Sequence, residues 1–167
     1  LPNFVHLPLL LNPDKSKLSK RQGHVAVEDF LNEGYLPEAL INFIALLGWN
    51  PKKNNEIFSI DELISQFNIE NIQKSGAVFD LVKLRWMNSQ YLKTIDVENI
   101  MSISKKIFKE KNWLVNEDSD LIEILKFAKG RSETVKSMID LISPFFENPK
   151  YNMDYLNLFE EKESKEI

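Results

Sequence analysis

Pro37-Glu38-Ala39-Leu40-Ile41-Asn42-Phe43-Ile44-Ala45-Leu46-Leu47-Gly48 opens on a residue suited to the first turn of a helix and closes on one suited to its end. Between them Leu40, Ile41, Ile44 and Leu47 recur at three-to-four spacing, which predicts an apolar stripe along one helix face. The same signals flank this stretch. Upstream, Val27, Phe30 and Leu31 share a helical face, and Gly34 can end that helix in the left-handed conformation. Downstream, Ser59 and Glu62 form a capping box ahead of Leu63, Ile64 and Phe67, and Asp80 precedes the periodic set Leu81, Leu84, Asn88, Tyr91 and Leu92. Asp96 can cap a further helix carrying Val97, Ile100, Met101, Ser104, Ile107 and Phe108. Another helix is predicted from about Ser119 to Lys129, stopped by Gly130. Ser132 is expected to cap the next, with Val135, Met138, Ile139 and Ile142 leading up to Pro144, and a last acidic helix is expected from about Asp154. The fold class is therefore mainly α, and the 5 glycines among 167 residues are too few for the frequent turns of an all-β sandwich.

Composition narrows the chemistry. Apolar residues make up 43% and charged ones 28%, and 11 Phe, 4 Tyr and 3 Trp supply core material, which excludes a disordered tail. Cysteine is absent, which excludes disulfides, thiolate metal sites and cysteine nucleophiles. No apolar run approaches the roughly 18 to 20 residues that span a bilayer; the longest, Ile41 to Leu47, is interrupted by Asn42. A cytoplasmic protein with no membrane partner is expected. The chain starts at Leu1, and Pro2 to Leu11 lacks the basic start and cleavage site of a signal peptide, so it reads like the middle of a longer polypeptide. The net charge is −4, yet residues 1–24 carry Lys15, Lys17, Lys20 and Arg21 against Asp14 alone. A polyanion would therefore have to meet local basic patches.

Val5, Leu7, Leu9 and Leu11 alternate with other residues, while Pro2 and Pro8 confine any strand to a sheet edge, so a short strand ending near Leu11 is predicted. Asn12 to Gly23 has turn chemistry at both ends and is expected to be an exposed, mobile loop. It contains Lys17-Leu18-Ser19-Lys20-Arg21. Compact lysine charges neutralise phosphate oxygens, and a serine hydroxyl with free backbone amides can complete a polyphosphate cradle. Charge that arrives as pyrophosphate leaves lowers the barrier instead of only tightening binding. Solvated loops collect the same residue types, but a match to this pattern in a chain of this length has a chance on the order of one in a thousand.

Lys17 to Arg21 resembles the lysine-serine-lysine signature loop of class I aminoacyl-tRNA synthetases, in the form typical of bacterial glutamyl-tRNA synthetases. His6-Leu7-Pro8-Leu9 leading into Asn12-Pro13-Asp14 is similar to that family's lead-in. Glu33 to Leu40 and Leu46-Leu47-Gly48-Trp49 resemble the segment after the loop, and Phe79 to Asn88 resembles its next signature. The likeness covers residue 4 to about residue 92 and is weak from Asp96 onward.

The resemblance implies that Lys20 contacts ATP phosphates and stabilises departing pyrophosphate, with Lys17 beside it in the catalytic set and Ser19 and Arg21 completing the ATP-binding loop. It implies that residues 1–24 end a catalytic domain, that 25–95 form a stem-contact fold touching tRNA, and that 96–167 belong to a helical anticodon-binding domain. The implied partners are tRNA(Glu), with ATP, its Mg2+ and glutamate held by a domain outside this chain. A monomer without a protein-bound metal is expected. The family's histidine signature is missing, since the histidines are His6 and His24 alone, so the chain by itself is expected to be inactive. The alternative is a free-standing helical RNA-binding or interaction module. A glutaminyl enzyme would instead carry a β-barrel after Asp96.

Among other candidates, His6 and His24 read as a packed strand residue and a loop residue. Trp49 and Trp86 read as core, with base stacking as the alternative, and Phe145 and Phe146 as an apolar plug after Pro144. For RNA, Lys83, Arg85 and Arg131 stand out among the basic residues. Arg131 leads because arginine stacks on bases or clamps phosphate, and the helix start beside it favours an anion.

Overall fold

The computed structural model describes residues 4–19, 26–51, 55–114 and 119–147. Strand β1 (Leu10–Leu11) pairs in parallel with β2 (Ala77–Val78), Leu10 opposite Ala77 and Leu11 opposite Val78. Helices α1 (Val27–Asn32), α2 (Pro37–Gly48), α3 (Ile60–Gln66), α4 (Leu81–Thr94), α5 (Val97–Glu110), α6 (Ser119–Lys129) and α7 (Val135–Ile142) carry the rest, with single 3-10 turns at Ile69–Asn71 and Ser143–Phe145. The described residues are thus mainly helical, as expected, and the predicted helix near Asp154 lies outside them.

Local chemistry explains most helix boundaries. At the end of α1, Gly34 takes φ +83°, and the amides of Gly34 and Tyr35 return to the carbonyls of Leu31 and Phe30, each at 3.0 Å. This is a Schellman closure, which glycine adopts without steric cost. Ser59 and Glu62 cap α3 reciprocally, and the Asp80 carboxylate accepts the Val82 and Lys83 amides at the start of α4. Two caps differ from the sequence reading. Asp96 sits at the start of α5 without a side-chain cap bond. The cap of α7 is Thr134, paired with Ser137, whereas Ser132 is buried and donates its hydroxyl to the Ala128 carbonyl. Ser132 thereby closes the preceding helix.

The apolar stripe of α2 is rotated from the expected one. Ala39, Leu40 and Phe43 are buried, whereas Ile41 and Ile44 are each 51% exposed. Asn42 decides the rotation: its Oδ1 accepts the Phe58 amide at 2.8 Å and the Tyr91 hydroxyl at 2.6 Å, and its amide donates to the Glu56 carbonyl. A core amide must satisfy both ends, so this residue faces inward and its neighbours follow.

Helix α2 packs on α4, and α6 packs on α7 with α5 against both. One core gathers Phe30, Tyr35, Leu40, Phe43, Leu84 and Met87. A larger one joins Leu36, Ala39 and Leu92 to the inner faces of α5, α6 and α7, so the apolar interior runs continuously past Thr94. Trp49 is buried against Phe58, as expected for core. Trp86 is 43% exposed and is not core. Phe146 stacks on Trp113 at 4.7 Å, while Phe145 is 65% exposed, so half of the expected plug points outward. His6 is exposed outside any strand.

Candidate functional site

The loop-bearing segment leaves β1 through a closed turn. The Asn12 amide donates to the Ser16 carbonyl at 2.8 Å, the Lys15 amide returns to the Asn12 carbonyl, and Lys15 takes φ 66°. The Asp14 carboxylate accepts the Ser16 hydroxyl at 2.6 Å and its amide at 2.9 Å, and these bonds hold Asp14 below the usual carboxylate range. The Leu18 amide then bonds the Leu10 carbonyl, and Lys17 bridges Leu11 in antiparallel fashion. The front of the expected mobile loop is therefore a built turn that folds back on β1. It sets where the signature segment begins: Lys17 is exposed and Ser19 half-buried. Lys20, Arg21, Gly23 and His24 lie outside the described residues.

A cavity of about 740 Å³ opens beside this turn, bounded by Asn12, Leu18, Asp29, Arg85, Glu133 and Thr134. Glu33 and Asp80 add to its carboxylates, so its field favours cations over phosphate. Sequence reasoning missed it because its walls come from the turn, α1, α4 and the start of α7, which no local pattern links.

The three RNA candidates meet different partners. Lys83, on the first turn of α4, forms an ion pair with Glu56. Arg85 binds the Tyr35 hydroxyl, which with the nearby Glu133 charge holds the guanidinium above its ordinary pKa. Arg131 lies 3.8 Å over the exposed Phe127 ring and donates to the Phe127 carbonyl at 3.3 Å. This arginine covers the end of α6. Lys83 and Arg85 are thus committed to protein partners.

Two buried amides, Asn42 and Asn88, organise the surroundings of the site. Asn88 accepts the Leu36 amide at 2.8 Å and donates to the Glu133 carbonyl. The available signals were Asn42 interrupting the apolar run from Ile41 to Leu47 and Asn88 standing within the periodic set of α4. Among the described residues no cluster of histidine and carboxylate side chains could hold a metal ion, and no helix is long and apolar enough to cross a membrane.

Residues 1–86 match the family described as tRNA synthetases class I (E and Q), catalytic domain. The chain is 41% identical over 150 residues to glutamate–tRNA ligase 1 of Syntrophomonas wolfei, covering 89% of this chain and 30% of that protein. It is 46% identical over 143 residues to the glutamate–tRNA ligase of Prosthecochloris aestuarii, covering 84% of this chain and 27% of that protein. The crystal structure of a glutamate tRNA ligase from Elizabethkingia meningosepticum in complex with its amino acid superposes with a TM-score of 0.78 at 37% identity, over 90% of this chain and 33% of that one. The chain spans about a third of the length of these relatives.

Proposed function

Because the chain belongs to the class I tRNA synthetases (E and Q), we propose that it is part of a glutamate–tRNA ligase, which activates glutamate with ATP and transfers it to tRNA(Glu). In this reading residues 1–24 end the catalytic domain, 25–95 are the stem-contact fold and 96–167 are part of the helical anticodon-binding domain. The observation that carries the reading is the hydrogen-bonded turn from Asn12 to Leu18, which returns to β1 and fixes the chain up to Lys17 and Leu18, where the signature segment begins.

The reaction joins a glutamate carboxylate oxygen to the α-phosphorus of ATP as pyrophosphate leaves with the electron pair of the broken P–O bond. A ribose hydroxyl at the tRNA 3′ end then attacks the activated carbonyl, and AMP departs. Lys20 is assigned to the developing charge on the leaving pyrophosphate, where an ammonium that engages as the charge develops acts on the transition state more than on bound ATP. Lys17, Ser19 and Arg21 shape the loop around the phosphates, whose Mg2+ arrives with the nucleotide. Arg131, whose partners in Phe127 are uncharged, is assigned to tRNA, with Lys83 and Arg85 in weaker, charge-only roles because Glu56 pairs with the one and the Glu133 charge lies near the other. The protein works in the cytoplasm as a monomer.

The described residues after Asp96 are helical, which supports the glutamyl over the glutaminyl enzyme and its β-barrel. A free-standing RNA-binding module draws no support from a match to a catalytic-domain family over residues 1–86. Lys20→Ala in the ligase that carries this segment should slow glutamate activation at least about a hundredfold, and an unchanged rate would show the loop to be misassigned. The 167-residue chain alone should give no ATP–pyrophosphate exchange, because its histidines are His6 and His24, without the signature spacing.

A further inference from the structure

A buried long-range polar contact lies away from the described start of the signature segment. Asn88 is fully buried on α4, and its two ends hold the starts of two other helices. Its Oδ1 accepts the amide of Leu36, the residue before α2, and its Nδ2 donates to the carbonyl of Glu133, just before the Thr134 cap of α7. Two further ties run along the same seam: the Val135 amide bonds the Gly34 carbonyl at 2.9 Å, and Lys136 pairs with Glu33 at 3.0 Å.

Helix α7 packs on α6 and α5, so whatever orients its first turn bears on the placement of all three beside the shared apolar core. The other side of the seam is the α1–α2 turn, only a short stretch of chain from the signature segment. Apolar packing across this boundary is non-directional, whereas a buried amide with partners on both sides permits one arrangement. We propose that Asn88 is a positioning residue: it fixes helices α5–α7 on the loop-bearing half, so that an RNA held by those helices meets the signature loop in register. This inference rests on the ligase reading above.

Asn88→Asp keeps the acceptor for Leu36 and sets a carboxylate oxygen against the Glu133 carbonyl, so it opens only the α7 side. In the ligase that carries this chain, KM for tRNA should rise about tenfold while KM for ATP and glutamate stays within about twofold. A loss of kcat proportional to the folded fraction, with every KM unchanged, would overturn the proposal. Glu33→Lys guards against a variant that fails to fold, because this ion pair is exposed. Added positive charge by itself would tighten RNA binding, whereas like charges across the seam should raise KM for tRNA, and the swap Glu33→Lys with Lys136→Glu should restore it. A lowered KM in the single variant would contradict the assignment. If the parent enzyme did not glutamylate tRNA(Glu), the ligase reading would fall by itself, and the seam would be judged by amide exchange in this chain. Asn88→Asp should speed exchange at Val135 and spare Leu36; a Val135 amide protected as in the unaltered chain removes the proposal.

Discussion

Gly34 and Val135 approach so closely that no side chain fits between them: a Cβ on Gly34 would lie 3.0 Å from the Val135 nitrogen and 2.6 Å from that of Lys136. The contact places the closing turn of α1 directly against the opening turn of α7, backbone to backbone. Gly34 thus serves two needs at once, the left-handed closure of its own helix and the space required by another.

Gly34→Ala should therefore be costly for both reasons. The positive φ costs about 1–2 kcal/mol for an L-residue, and the backbone clash must push α7 outward. A loss of about 2–4 kcal/mol in urea unfolding is expected. A change below about 0.5 kcal/mol would mean that the seam opens freely.

Tyr91 links the fold to pH. Its hydroxyl reaches Asn42 and the Phe58 carbonyl, and burial raises its pKa above the ordinary value of 10.0. A raised folded-state pKa means that the folded chain holds this proton more tightly than the unfolded one. The contribution is fully present below pH 10 and is lost as pH rises through the folded value. Tyr91→Phe should cost about 1–2 kcal/mol at neutral pH and should flatten the alkaline fall in stability relative to the unaltered chain. Unfolding curves of the two proteins that stay parallel from neutral to strongly alkaline pH would contradict this.

Asp14 acts in the opposite direction. Its bonds to Ser16 lower its pKa, so the turn it closes is intact above the ordinary value of 3.8 and loosens as pH falls through the lowered one. Asp14→Ala removes the same bonds at neutral pH. The Ser16 amide should then exchange faster, and in the ligase KM for ATP should rise by less than about fivefold, because only the approach to the signature segment is loosened. Unchanged Ser16 exchange would show that the turn is held without Asp14.

The helices were legible because their signals are local. Pro37, the Ser59–Glu62 box, Asp80 and the stop after Lys129 each act within one turn of chain, and each boundary falls where those residues put it. Strand β2 was not legible, because two residues show no alternation and Ala77–Val78 exists only as a partner of β1. Ser132 and Thr134 are both good capping residues two positions apart, and tertiary packing chose between them by burying Ser132. The seam at Asn88 and the acidic cavity join residues from distant parts of the chain, and a single sequence without pairing information cannot specify such unions.

Arg131 provides the remaining prediction. Its guanidinium covers the Phe127 ring at 3.8 Å, and Phe127 remains 53% exposed, so the pair forms an aromatic and cationic surface at the end of α6. Arginine held this way has lost part of its conformational freedom before any RNA arrives, which favours stacking on a base or contact with a phosphate. In tRNA(Glu) binding by the chain, Arg131→Ala should weaken affinity and reduce the slope of log affinity against log salt by about 1. Arg131→Lys should keep the slope, since the charge remains, and lose affinity through the missing planar stack. Phe127→Ala separates support from contact: if the ring only steadies the arginine, affinity falls while the slope holds. An Arg131→Ala chain with unaltered affinity and slope would leave this residue a helix-end cap and nothing more, because its bond to the Phe127 carbonyl already accounts for its position.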